Sequence, residues 1–134
     1  MAWQVLLVKL PDSLGSLGDL PEDYQPPVLG EPEAVSECIV RAVAHADVRH
    51  DVAQNVVALR ADDFVIEAEL GGVLSVDRVV LSVFGSDAAW PLIGDVARAL
   101  GAAAIDCETD AVLDPSSVVP DTLREWQARV DDLR

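Results

Sequence analysis

The sequence predicts an α+β domain, with a mainly antiparallel sheet and helices packed on one face. Three observations carry this. Residues 63–70 alternate: Phe64, Ile66, Ala68 and Leu70 face one way and Val65, Glu67 and Glu69 the other, the pattern of a strand with one wet face. Residues 32–46 and 87–100 instead repeat their apolar side chains at helical spacing. Apolar residues make up 51% of the chain and aromatic ones only 4%, so the core is built from Val, Leu, Ile and Ala. The whole chain, 134 residues, is the size of a single domain with one core.

The elements follow in order. Residues 2–10 are Val- and Leu-rich on both faces, which suits a central strand, and Pro11 ends it. Residues 11–31 hold four prolines and three glycines and form no regular element. Leu14, Leu17, Leu20, Tyr24, Val28 and Leu29 are scattered through this stretch, so it reads as a loop partly pinned to the body. In the helix at 32–46, Pro32 fits the first turn, and Val35, Cys38, Ile39, Ala42, Val43 and Ala46 make the buried stripe. Glu37 and Arg41 form a favourable i,i+4 pair.

Strands at 56–60 and 63–70 are joined by a tight turn at Asp62. Gly71 and Gly72 begin the turn to a further strand at 76–84, with Val79, Leu81 and Val83 inward. The helix at 87–100 has Ser86 or Asp87 to cap it and Gly101 to close it. Pro91 is tolerated there if the helix starts near Trp90. A short strand at 103–107 follows. Residues 117–134 form a helical extension in which Leu123, Trp126, Val130 and Leu133 make a stripe. That stripe either docks on the body or makes a dimer contact, with Trp126 as the anchor in both cases.

Charge bounds function. Asp and Glu total 24 against 9 Lys and Arg, a net charge of −15. Such a surface repels phosphate backbones and anionic membranes, so neither nucleic acid nor membrane is an expected partner. It attracts a basic protein, a cation or a polyamine; plain solubility is the competing explanation. From Asp12 to Glu37 there are seven acidic residues and no basic one. The expected partner is therefore a basic protein. Asp19, Glu22 and Asp23 steer it, and Leu14, Leu17 and Tyr24 supply apolar contacts.

The first residues show neither a basic leader nor a cleavage site, so the expected location is the cytoplasm. Cys38 and Cys107 are then expected as reduced, buried thiols. The expected state is a monomer or a homodimer.

No motif for catalysis or cofactor binding stands in the sequence: no P-loop, dinucleotide-binding glycines, nucleophile elbow or zinc-protease pair. Glu67 and Glu69 share a strand face and would suit general acid–base work. They read more simply as a solvated face with Arg60 or Arg78 opposite. His45 and His50 read as loop histidines, since their spacing lacks a third ligand. Asp106, Glu108, Asp110 and Asp114 lack the glycine and closing Glu of a calcium loop. No catalytic residue, metal site or cofactor is expected.

The order strand–loop–helix–three strands–helix–strand resembles a group of small uncharacterised bacterial α+β proteins. Three stretches carry the resemblance: LPEDYQPPVLG at 20–30 after an apolar strand, DDFVIEAELG at 62–71, and GSDAAWPLIGDVARALGAAAIDCETD at 85–110. They fall within residues 2–114. Such proteins are similar in size and charge to immunity proteins, which neutralise bacterial toxins. The chain departs from the group in its C-terminal helix and in lacking tryptophans at 52–58. The resemblance carries no known activity with it; the charge of −15 and the acidic loop make an immunity-type inhibitor of a basic toxin the expected function. The alternative is a small-molecule-binding protein or enzyme that uses the clustered carboxylates.

Overall fold

The computed structural model describes residues 3–10, 24–43, 47–51, 55–72, 74–114, 120, 123–125 and 128. Its centre is one antiparallel sheet of seven strands: β1 (Trp3–Val8), β2 (Asp47–Asp51), β3 (Val56–Arg60), β4 (Phe64–Gly71), β5 (Arg78–Gly85), β6 (Ala103–Asp106) and β7 (Val112–Leu113). They lie in the order β2-β3-β4-β5-β1-β6-β7. Two helices complete the layer, α1 (Pro32–Ala42) and α2 (Trp90–Leu100). The fold is α+β, as the alternation and helical spacing predict.

One sheet face is the core. Trp3, Val5 and Leu7 of β1 join Val57, Leu59, Ile66, Ala68, Leu70, Val79, Leu81 and Val83, all buried. Val35 and Ile39 from α1, Val43 just past its end, and Ile93, Val96 and Ala97 from α2 close the same cluster. Trp3 and Trp90 meet tilted at 58°, with ring centroids 6.4 Å apart. The Trp3 indole N–H is buried without an acceptor.

The helix ends follow local rules. A 3₁₀ turn, Asp87–Ala89, precedes α2, so Pro91 falls in the first helical turn, where its missing N–H costs nothing. The Ser86 hydroxyl accepts the Ala88 N–H at 3.3 Å. Gly101 ends α2 in the left-handed region, at φ 63°. The Glu37–Arg41 pair of α1 is present at 4.0 Å and exposed, so it adds little stability.

Four differences from the sequence reading stand out. β2 lies where a loop was expected, and β7 was not foreseen. α1 stops at Ala42, before the expected end at 46, and the chain re-enters the sheet at Asp47. β5 begins at Arg78, because Val76 instead forms an isolated bridge with Gly30. At the C-terminal end, 123–125 are helical and Leu123 is fully buried in the core cluster. Trp126, Val130 and Leu133 lie outside the described residues. No described helix is long and apolar enough to cross a membrane.

Candidate partner-binding surface

The 11–31 stretch is tied down where the structure describes it. The Tyr24 hydroxyl donates to the carbonyl oxygen of Lys9 at 2.8 Å. The Leu29 N–H donates to Val76 O and the Val76 N–H to Gly30 O, each at 2.7 Å. Pinning to the body is thus present at Tyr24 and at 29–30. The register pairs Val8 with Arg78, so β1 ends level with the first residue of β5. The Tyr24–Lys9 bond therefore brings the two flanks of residues 10–23 together just past the end of β1.

The turn between β4 and β5 is clamped at both shoulders. Asn55 sits at φ 55°, a left-handed conformation that Asn tolerates better than most residues. Its side-chain amide donates to Leu70 O at 3.1 Å and to Gly72 O at 2.7 Å, while its backbone carbonyl accepts the Leu70 N–H at 3.0 Å. Gly72, at φ 130°, leaves no room for a side chain: a Cβ there would lie 1.8 Å from the Ser75 carbonyl oxygen. The other shoulder is held by the Gly30–Val76 bridge. Between them Leu74 is 88% exposed, and Val28, one residue before the second clamp, is 52% exposed. The sequence reading passed over Leu74. No local pattern marks it, because the bonds that hold the turn come from Asn55 and Gly30, distant in the sequence.

On β4 the opposite sheet face is wet, as the alternation predicts: Glu67 and Glu69 are exposed while Ile66 and Ala68 are fully buried; farther across the same face Val8, Ser82 and Ile105 are buried. The arginines are not directly opposite the glutamates. Arg60 pairs with Val65 and Arg78 with Gly71, one diagonal step from Glu67 and Glu69 respectively. Across the face runs a polar row, Arg49–Ala58–Glu67–Ser82–Gln4. The Gln4 amide donates to the Ser82 hydroxyl at 3.3 Å.

The acidic run from Asp106 forms the β6–β7 hairpin turn. Asp106 is buried, and one carboxylate oxygen accepts the Glu108 N–H at 2.8 Å. The Asp110 N–H reaches back to Asp106 O at 2.8 Å. Among the described residues, no group of three or more His, Cys, Asp or Glu side chains converges to hold a metal. Cys107 is exposed in this turn, contrary to the expected buried thiol, whereas Cys38 is half-buried. Desolvation first, then the Asp106 and Asp110 carboxylates, push the Cys107 thiol above its ordinary pKa, and a backbone hydrogen bond at Leu6 opposes them. His50 is not a loop residue: it lies half-buried in β2 opposite Val57, with Nε2 buried and unpartnered. His45 lies outside the described residues.

Of the side chains expected to meet a partner, only Tyr24 is described, half-buried and fixed to Lys9. Leu14, Leu17, Asp19, Glu22, Asp23 and the dimer candidate Trp126 lie outside the described residues. No family model, curated protein or solved structure matches this chain.

Proposed function

We propose that this protein is an acidic protein-binding module, an immunity-type inhibitor that occupies a basic toxin. The observation that carries the reading is charge: −15 over the chain, with seven acidic and no basic residues from Asp12 to Glu37. The Tyr24–Lys9 hydrogen bond supports it, because it ties the two flanks of residues 10–23 to one place. Concentrated charge speeds encounter with a cationic partner and selects against others.

The test is affinity capture from the cells that make the protein, at moderate salt, followed by association kinetics with the recovered partner. A basic protein should be recovered. Reversing Asp19, Glu22 and Asp23 to Lys should slow association about tenfold or more, with an unchanged melting temperature. Recovery of no protein, together with tight binding of a metabolite, would overturn the reading.

A further inference from the structure

We infer that β2, the strand at one end of the sheet, pairs antiparallel with β2 of a second copy of this chain, so that Asp47 of each copy faces Arg49 of the other across a two-fold axis at Val48. This goes beyond the binding role proposed above and does not depend on it.

The backbone supplies the edge. β2 has β3 on one side and, among the described residues, no strand on the other. The ladder fixes which groups point outward. The Ala61 N–H donates to Phe64 O and the Leu70 N–H to Asn55 O, so Val57 and Leu59, between them in the same register, turn their N–H and C=O groups toward β4. Val56, Ala58 and Arg60 turn theirs toward β2, where they meet Asp51, Arg49 and Asp47. Val48 and His50 are left with N–H and C=O pointing out of the sheet, and no proline interrupts the strand.

The side chains supply the occupant. Asp47, Arg49 and Asp51 are exposed on the face that carries Glu67, while Val48 is half-buried against the core. Arg60 stands opposite Asp47 and Ala58 opposite Arg49, yet neither Asp47 nor Arg49 makes an ion pair among the described residues. With Val48 opposite Val48, a second β2 sets Asp47 against Arg49 twice, at the closely spaced positions between backbone bonds. Val48 opposite His50 would set Arg49 against Arg49 and Asp47 against Asp51, like against like. His50 opposite His50 would call on Asp51, which is already engaged within its own chain. An edge of one sign would repel its copy, whereas this alternation fits it. The net charge of −15 opposes approach, but salt at about 0.15 M screens exposed charges beyond about 8 Å, and paired strands lie about 4.8 Å apart.

Sedimentation velocity of the full chain at about 0.15 M salt tests this. The wild type should pass from monomer to dimer as concentration rises. Arg49→Asp and Asp47→Arg should each weaken the dimer about tenfold or more at unchanged melting temperature. An equimolar mixture of the two should restore it, because each cross-strand position then holds one Asp and one Arg. Val48→Pro removes an outward N–H without touching the ladder to β3 and should leave a folded monomer. In a Cys38→Ser, Cys107→Ser background, Asp47→Cys mixed with Arg49→Cys should cross-link on mild oxidation, and Arg49→Cys alone should not.

A wild type that stays monomeric up to about 1 mM would overturn the inference. So would a dimer that Arg49→Asp leaves intact, which would lie on another surface. Cross-linking of Arg49→Cys alone would place Arg49 opposite itself and sink the charge pairing. None of these results bears on the affinity capture that tests the acidic binding role.

Discussion

The Tyr24 hydroxyl reaches back fifteen residues to the Lys9 carbonyl oxygen, 2.8 Å away. The ring spans the two flanks of the acidic segment, so Tyr24 has a structural task beside any contact with a partner. Tyr24→Phe keeps the ring and removes the bond. It should lower the unfolding free energy by about 1 kcal/mol, read from a denaturant midpoint. Tyr24→Ala should cost more, because the half-buried ring is lost as well. Equal losses from the two would mean that the hydroxyl carries the whole effect.

Asn55 sets the shoulder of the β4–β5 turn by conformation and by hydrogen bonding. Asn55→Gly keeps the left-handed backbone and loses the two amide bonds, a cost of about 1–2 kcal/mol. Asn55→Ala adds backbone strain and should cost more, by roughly 1 kcal/mol. Thermal melts of the two variants check the order.

Adjacent residues of β4 should respond in opposite ways. Ile66 is fully buried, and Ile66→Ala should cost about 3 kcal/mol. Glu67 is exposed on the wet face, and Glu67→Ala should change stability by no more than about 0.5 kcal/mol. A large loss from Glu67→Ala would show that the polar row it shares with Ser82 and Gln4 bears on the fold.

Leu123 is fully buried against the core although it lies at the start of the C-terminal extension. Leu123→Ala should therefore destabilise the fold by about 3 kcal/mol. A variant that melts with wild type would mean that this part of the extension is not docked in solution.

Cys107 should alkylate slowly. Its raised pKa leaves less thiolate at pH 8 than an ordinary cysteine has, so the rate should rise toward its plateau at higher pH. Asp110→Asn removes one of the charges that oppose the thiolate and should shift that rise to lower pH. Iodoacetamide kinetics in a Cys38→Ser background read this directly.

The regular elements with strong patterns were legible in the sequence, and their physics explains why. β4 alternates because one of its faces meets the core and the other meets water. The start of α2 was legible because Pro91 fits only a first turn. β2 was hidden: Asp47, Arg49 and Asp51 face outward on a strand at the sheet's edge, and only Val48 and a histidine face inward. β7, with two residues, is too short to show a period. The acidic surface was visible as composition, whereas the Leu74 tip depends on clamps from Asn55 and Gly30, 19 and 44 residues earlier in the chain, which no local pattern reveals.

The place of β1 bears on how the chain is made. The strand is made before both of its neighbours: it lies between β5 and β6 and pairs with 78–83 on one side and 103–106 on the other. At roughly 5–20 residues per second, synthesis of its second partner lags by on the order of ten seconds. Until 78–83 are made the segment Trp3–Val8 has neither neighbour, and until 103–106 are made it still lacks one; such bare apolar strands are prone to aggregate. Closure of the sheet around β1 thus awaits a partner about 100 residues downstream, and pairing over so long a separation is intrinsically slow.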